Sequence, residues 1–412
     1  MKALVLGLGK SGKAAMRYLR NGGADVAVAD DNDDEIAGMA SLPEHLDLIV
    51  ISPGVPTDHP LLIEARERAI DVIGEAELAL RDIAAPSIVG ITGTNGKTTV
   101  TLMVSHILNA SGVEAHALGN VGEPLTNYIL NGYSGVIVAE LSSYQLETME
   151  IQALDAAIIL NITPDHLDRY DGIEGYAEAK MKIASCIKEG ARLYAFDDVV
   201  KTYGIDACAV KVTEKNEIIV DENIEYIVPV GYRKKARHDR DNVAAAFLLC
   251  KALGVKEEQF LQGLATFSAP PHRIERVREL GGIEYYNDSK GTNVAAVVSA
   301  VDAMEGAVVL IAGGKDKGSP FEVWREAFAG KVKTIVAIGE AAAAIADKVG
   351  GTIPVMMAAT MDDAVIAATA AAEKGDKVVL SPGCASFDMF DDYVHRGEVF
   401  RNYVLDLEEK KI

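Results

Sequence analysis

The chain has 412 residues, enough for two or three domains, and 49% of them are hydrophobic, ample for buried cores. Lys and Arg number 40 against 61 Asp and Glu, so the formal net charge is −21, which argues against nucleic acid or an anionic membrane surface as partner. No apolar run reaches the ~20 residues of a membrane span, and the four scattered cysteines (Cys186, Cys208, Cys250, Cys384) contain no CxxC, so neither a disulfide framework nor a zinc site is indicated. Met1–Gly7 is a strand entering a glycine turn and not a signal peptide, so a cytoplasmic protein is expected.

In chain order, Ala3–Leu6 is a strand, Gly7-Leu-Gly9-Lys10-Ser11-Gly12 a glycine turn, Lys13–Arg20 a helix and Ala24–Ala29 a strand ending at Asp30. This is GxGxxG with an acid about 20 residues on. It reads either as a nucleotide site near Gly9 and Ser11 or as a Rossmann-like unit that packs without a ligand. The run Asp30–Glu35 is densely acidic. Leu48–Ile51 is a further buried strand, and Ala84–Ser87 a Pro-containing linker.

The stretch Gly90-Ile-Thr-Gly-Thr-Asn-Gly-Lys-Thr-Thr99 follows a short β-rich run and precedes the helix Val100–Leu108. Strand, glycine loop and helix form a phosphate cradle: the glycines let N–H groups turn inward, and the helix start adds partial positive charge. Lys97 can reach β/γ-phosphates and the Thr98 hydroxyl can ligate Mg²⁺. Leu118–Gly122 reads as a turn. The apolar strand Gly135–Glu140 ends in a carboxylate, the usual place for a Mg²⁺-organising acid. Strand Ala156–Leu160 leads to Asn161-Ile-Thr-Pro-Asp-His166. That His reads as structural or as a metal-shell or orienting group. Ile173–Lys188 reads as one helix, in which Lys180 is one lysine among several. Residues 191–235 are β-rich, with alternation at Glu217–Val220 and Glu225–Val230, and Asp239 or Asp241 is a candidate N-cap for the helix that ends near Cys250. Beyond Pro270-Pro271, strands at Glu284–Asn287, Val308–Ala312, Thr334–Ile338 and Lys377–Leu380 alternate with helices. That pattern predicts another α/β layer on a parallel sheet, with polar loops at the strand C-terminal ends.

With these residues collected, the chain resembles the Mur ligases, ATP-dependent amide ligases of bacterial cell-wall precursor synthesis. The motifs that carry the resemblance are Gly-Thr-Asn-Gly-Lys-Thr (93–98), Glu-Leu-Ser-Ser-Tyr-Gln-Leu-Glu (140–147), Asn-Ile-Thr-Pro-Asp-His-Leu-Asp-Arg (161–169), Pro-His-Arg (271–273), Asp-Ser-Lys-Gly-Thr-Asn (288–293) and Ser-Pro-Gly-Cys-Ala-Ser-Phe-Asp (381–388). They are most similar to the members that join D-glutamate to UDP-N-acetylmuramoyl-L-alanine through an acyl phosphate. The implied fold is α/β in three domains: a Rossmann-like UDP-sugar domain (1–83), a central P-loop ATPase-like domain with a mostly parallel sheet (84–270), and a Rossmann-like C-terminal domain for the amino acid (271–412). Closure of these domains on ATP is expected.

The resemblance also implies site residues. ATP would be met by Gly93, Thr94, Asn95, Gly96, Lys97, Thr98 and Thr99, with Asn242 at adenine, Asp288 at ribose and Arg273 at phosphate. Thr98 and Glu140 would hold one Mg²⁺, and His166 and Lys180, the latter as a carbamate, would serve a second. Gly9, Lys10, Ser11, Asp30, Asn120, Ser142 and Gln145 would meet the UDP substrate, and Thr292, Lys317, Ser386 and Tyr393 the D-glutamate. Lys97, Glu140, His166, Lys180 and Arg273 would carry catalysis in a monomeric enzyme.

Three departures stand out. The family's His-Asn before the central helix is His238-Asp239 here. Tyr393 stands where Phe is common. Asp30 is followed by acids where a basic residue usually grips the UDP, leaving Lys10 or another domain to substitute. The acidic run keeps open a sister ligase acting on a pseudomurein-like peptide or another amino acid. A folylpolyglutamate synthase lacks the N-terminal unit. A nicotinamide dehydrogenase would leave the phosphate loop and third domain without a role, and a catalytically dead nucleotide-binding module is opposed by intact Lys97, Glu140, His166, Lys180 and Arg273.

Overall fold

The computed structural model describes residues 1–31, 39–167 and 169–408. Contacts divide the chain into two compact units, one of residues 1–162, 174–233 and 239–267, the other of 163–173, 234–238 and 268–412.

The first unit holds two sheets. The smaller has β1 (Lys2–Leu6), β2 (Asp25–Ala29), β3 (Leu48–Ile51) and β4 (Asp71–Gly74), all parallel, in the order β2-β1-β3-β4. Helix Lys10–Asn21 lies close against β1 because residue 12 is Gly: a Cβ there would stand 1.9 Å from the Gly7 carbonyl oxygen and 2.6 Å from Ser52 Oγ.

The larger sheet comprises β5 (Ile88–Thr92), β6 (Ala115–Gly119), β7 (Val136–Glu140), β8 (Leu154–Ile159), β9 (Ile187–Phe196), β10 (Cys208–Val212), β11 (Glu217–Val220) and β12 (Asn223–Ile227), in the order β12-β11-β10-β9-β8-β5-β7-β6. It is parallel from β6 to β10 and antiparallel across β10, β11 and β12. Both faces are covered, so β5 and β7 are buried at every position and read as unbroken apolar runs. Val89, Ile91, Val138 and Ile158 face a core shared with helices Lys97–Ala110 and Arg237–Ala252. Ile88, Ile137, Ala139 and Ile159 face the opposite core, which receives Ala76, Ala79 and Leu80 from helix Glu75–Asp82. Two buried glutamates of that helix fasten it: Glu75 accepts from the Thr126 N–H at 2.6 Å, and Glu77 from the N–H groups of Glu150 (3.0 Å) and Ile151 (3.1 Å).

Several local expectations change. The helix expected over Ile173–Lys188 is an α-helix only from Gly172 to Met181, followed by a 3₁₀ stretch Lys182–Cys186. From Ile187 the chain pairs with Leu154 in the sheet, and that tertiary pairing outweighs local helical preference. The helix expected from His238 starts at Arg237, so Asp239 lies in its first turn and Asp241 beyond, and neither is an N-cap. Leu118 and Gly119 close β6 instead of forming only a turn. β12 ends at Ile227, ahead of Pro229, which has no N–H to extend the ladder.

The second unit carries β13 (Glu275–Leu280), β14 (Ile283–Asn287), β15 (Val308–Gly313), β16 (Val332–Ile338), β17 (Val355–Met357) and β18 (Lys377–Leu380), ordered β13-β14-β18-β15-β16-β17. The sheet is parallel except for its edge strand β13, which turns back on β14 through Gly281-Gly282, both at positive φ. The four strands read from the sequence are parallel to one another as expected; β13 is not among them, and its two-glycine connection to β14 permits only a hairpin. The loops leaving β14, β15 and β18 all emerge at strand C-terminal ends and converge.

Candidate active site

The loop between β5 and helix Lys97–Ala110 is a phosphate cradle in its backbone. Gly93 (φ 148) and Gly96 (φ 88) hold conformations that side chains resist. A Cβ on Gly96 would lie 2.5 Å from Asn242 Oδ1, so Asn242 packs directly on the loop. The helix start has no side-chain cap and no acid in its first turn, which leaves its N–H groups available to an anion. Lys97 Nζ folds back on the loop, donating to the carbonyls of Gly93 (2.8 Å) and Thr94 (2.7 Å). Lys180 is 1% exposed and donates to the same Gly93 oxygen at 2.7 Å, its Nζ 4.4 Å from the centre of the Tyr176 ring. Thr98 and Thr99 are half-buried at the helix start.

Asn161 clamps this loop, a role the sequence reading missed. Its Oδ1 accepts from the Asn95 N–H (2.9 Å), its Nδ2 donates to the Asn95 carbonyl (3.0 Å), and its own carbonyl accepts from the Thr94 N–H (2.8 Å). The signal was available: an amide at the end of the neighbouring strand matches one backbone donor and one acceptor.

Glu140 ends β7 and is 1% exposed. Its Oε1 accepts from Asn120 Nδ2 at 2.6 Å, while Oε2 has no hydrogen-bond partner. A buried carboxylate oxygen left unpaired is costly unless a cation or donor completes it. That orphan, on a strand paired with β5 at Ile91, is one oxygen that suits a hard cation such as Mg²⁺. Among the described residues no group of three or more His, Cys, Asp or Glu side chains could hold a metal ion. Any Mg²⁺ here would therefore need oxygens from its substrate and water as well. Asn120 is thus engaged with Glu140. Ser142 and Gln145 are engaged with each other in a capping box at helix Ser143–Leu146, Gln145 Oε1 accepting from the Ser142 N–H at 3.0 Å.

Around the first glycine turn, Gly9 precedes helix Lys10–Asn21, which also lacks a side-chain cap and an acidic first turn. Lys10 Nζ donates to the Gly122 carbonyl, and Ser11 is half-buried. Asp30 Oδ2 accepts from the Leu8 N–H at 2.5 Å, so this carboxylate holds the glycine turn itself. Asp31 pairs with His59 at 2.9 Å; residues 32–35 of the acidic run lie outside the described residues.

In the second unit, Asp288 lies at the end of β14 and is 7% exposed. Its Oδ2 accepts from Ser381 Oγ (2.7 Å) and its Oδ1 from the Ile274 N–H (3.2 Å). Burial pushes this carboxyl up to about 7, against the Ser381 hydrogen bond and the charge of Arg273, which both favour the anion. Arg273 is half-buried between His272 and Ile274. The Thr163–Ile173 loop belongs to this unit. There Asp165 accepts from Asn293 Nδ2 (3.2 Å) and lies 3.5 Å from Lys317 Nζ. His166 has φ 55 and holds its Nε2 3.8 Å from Asp165 Oδ2. Thr292 is half-buried beside Asn293, the N-cap of helix Val294–Ala303, and Ser386 is 2% exposed. Lys290 Nζ sits 3.8 Å from the centre of the Tyr393 ring.

The sequence reading also missed Arg396. It is fully buried and bonded to the Ser289 hydroxyl (3.0 Å) and carbonyl (2.8 Å) and to the Cys384 and Ala385 carbonyls (both 3.1 Å). Burial lowers its guanidinium to about 10. One arginine thereby ties the loop after β14 to the loop after β18. No sequence pattern distinguishes it from other helical arginines.

Comparison with known proteins adds a family. A model described as the Mur ligase middle domain matches residues 91–227, and one described as the Mur ligase, glutamate ligase domain matches 272–384. The chain is 44% identical over 433 aligned residues to the UDP-N-acetylmuramoylalanine–D-glutamate ligase of Protochlamydia amoebophila, covering 98% of this chain and 97% of that one. It is 38% identical to the enzyme of the same name from Acidobacterium capsulatum, covering 98% and 96%. Among solved structures it is similar to a pseudomurein peptide ligase type C from Methanothermus fervidus (TM-score 0.60, 18% identity, 99% and 100% covered). A UDP-N-acetylmuramate–alanine ligase from Thermotoga maritima is equally similar (TM-score 0.60, 17%, 98% and 99% covered). These last two likenesses carry the fold alone.

Proposed function

The chain belongs to the Mur ligase family, and on that premise we propose that it joins D-glutamate to UDP-N-acetylmuramoyl-L-alanine, cleaving ATP to ADP and phosphate, in peptidoglycan precursor synthesis. Full-length similarity to enzymes of that name supports this substrate pair over the pseudomurein-like alternative. The observation that carries the reading is the uncapped phosphate loop with Lys97 and Lys180 on one carbonyl, in a unit where buried Glu140 keeps an oxygen unpaired.

The alanine carboxylate is a poor electrophile. Its oxygen attacks the γ-phosphorus, an O–P bond forms, the bridging O–P bond of ATP breaks, and ADP leaves. The amine of D-glutamate then attacks the acyl carbon, a C–N bond forms, phosphate departs, and the ammonium proton passes to a base or water. The first step brings two anions together. Unit charges ~4 Å apart repel by about 4 kcal/mol at an effective dielectric of ~20. Loop N–H groups, Lys97 and Arg273 offset this by positioning and charge. Thr98 and Glu140 would hold Mg²⁺, which would supply charge neutralisation to the phosphates; His166 and, as a carbamate, Lys180 are each proposed as metal-serving residues of their own unit.

Asn242, packed on Gly96, would face adenine, and Asp288 the ribose. The open N-terminus of helix Lys10–Asn21, with Gly9, Lys10 and Ser11, suits a diphosphate. Asp30, Asn120, Ser142 and Gln145 would act on the UDP substrate from their places in the loop framework. Thr292, Lys317, Ser386 and Tyr393 would receive the D-glutamate carboxylates and stem. We assign the UDP-sugar, ATP and amino-acid functions to residues 1–83, 84–270 and 271–412, a division supported by one sheet in each.

The test is phosphate release from ATP with UDP-N-acetylmuramoyl-L-alanine and a panel of D- and L-amino acids. D-Glutamate should give turnover, and Lys97→Ala should lower kcat by about 100-fold or more. Turnover with another amino acid alone, or an unimpaired Lys97→Ala enzyme, would refute the assignment.

A further inference from the structure

Arg273 stands between two residues in the left-handed region: His272 at φ 61 and Ile274 at φ 49. For a β-branched residue that conformation is a genuine outlier, because its branched Cβ crowds the backbone. Such strain persists only where the surroundings over-determine it. Here they do so on every side. The His272 N–H donates to Glu275 Oε2 (3.0 Å), and the His272 carbonyl accepts from the Lys290 N–H (3.1 Å). His272 Nδ1 lies 2.9 Å from Asn287 Nδ2, which makes Nδ1 the acceptor and puts the ring proton on Nε2. Asn287 Nδ2 also donates to the Gly397 carbonyl at 3.1 Å. Residue 397 has to be Gly, since a Cβ there would lie 2.3 Å from His272 Nδ1. Ile274 gives its N–H to Asp288, and its side chain packs against a hydrophobic core of this unit.

We propose that Ile274 is a positioning residue: its core-anchored, left-handed backbone fixes the direction in which the neighbouring Arg273 leaves the chain. A relaxed extended residue at 274 would redirect Arg273 from the phosphate it is to meet. The turn stores strain in the resting protein and spares Arg273 that reorganisation during phosphoryl transfer. This inference rests on the reading of Arg273 as the phosphate-facing cation.

The test compares Ile274→Gly, Ile274→Ala, Ile274→Asn and Arg273→Lys in the full chain. Thermal unfolding, kcat and KM for ATP are measured for each. Gly adopts positive φ without cost, whereas Ala does not. If the strain is real, Ile274→Gly melts at or above Ile274→Ala although it loses more side chain. If the strain positions Arg273, Ile274→Gly lowers kcat by about tenfold or more while KM for ATP moves less than about threefold. Asn tolerates the left-handed region and keeps a side chain, so Ile274→Asn falls between parent and Gly in kcat. It also serves as the folded variant should Gly prove too unstable to purify. Unchanged kcat in Ile274→Gly or Ile274→Asn, with Arg273→Lys impaired, overturns the positioning role and leaves Arg273 standing. Parent-like kcat in Arg273→Lys overturns the reading of Arg273 beneath it. Ile274→Gly melting below Ile274→Ala overturns the strain.

Discussion

Lys180 holds its amine where an ammonium is poorly solvated, against a loop carbonyl and a tyrosine ring and almost without exposure. The carbamate proposed for Lys180 forms from the neutral amine, the form able to attack CO₂. On that proposal the nitrogen would bond to carbon, one C=O π bond of CO₂ would open onto oxygen and an N–H proton would leave to water, so that the neutral amine would become a carbamate anion. Incubation with ¹³C-bicarbonate should give a carbamate resonance that disappears in Lys180→Ala. That variant should lose about 100-fold in kcat and regain part of it with a short carboxylic acid. Full activity in the bare variant would end the idea. Asp288 offers a second test. Its carboxyl is raised to about 7 by burial, so the folded state holds a proton that the unfolded chain has released near pH 4. The stability this contributes is complete below that unfolded value and is lost as pH rises through 7. Between pH 5.5 and 8 the loss is about 2 kcal/mol. Asp288→Asn keeps the shape and can still pair with the Ile274 N–H and Ser381. It should therefore flatten the pH dependence of the melting temperature, and an equal slope in both proteins would rule the shift out.

At the scale of elements, close approach of backbone to backbone decides which substitutions the chain tolerates. Gly12→Ala would push a methyl into the Gly7 carbonyl, 1.9 Å away, and into Ser52. The Ser52 hydroxyl could rotate aside, but the Gly7 carbonyl is backbone and cannot, so helix Lys10–Asn21 has to lift from β1. The expected cost is about 3 kcal/mol, seen as a lower melting temperature; an unchanged melt would mean that the helix sits further out. This glycine was legible in the sequence because a fixed spacing between strand and helix reports a local constraint. The buried strands and the phosphate loop were legible for the same reason. Elements defined by distant partners were not. Helix Gly172–Met181 stops early because Ile187 pairs with Leu154. The links from Asn161 to Asn95 and from Asp165 to Lys317 join residues far apart in sequence. Ser142, Gln145 and Asn120 were read as substrate ligands from resemblance; the first two form a capping box, whose spacing is legible in sequence, whereas the bond from Asn120 to Glu140 spans two strands and is not.

For the whole molecule, the two compact units each have their own hydrophobic cores. A chain with separate cores need not unfold in one step. Calorimetry should resolve two transitions, and variants already argued can assign them. Gly12→Ala lies in the first unit and should lower only the transition that contains the phosphate loop. Asp288→Asn lies in the second and should change only the pH response of the other. A ligand that binds the native form alone stabilises it by about 2.7 kcal/mol at a concentration 100 times its Kd. ADP with magnesium should therefore raise the transition that Gly12→Ala lowers, and Lys97→Ala should abolish most of that rise. A single transition shifted equally by both variants would show that the units melt as one. A nucleotide shift surviving Lys97→Ala would show that the cradle after β5 is not where the phosphates are held.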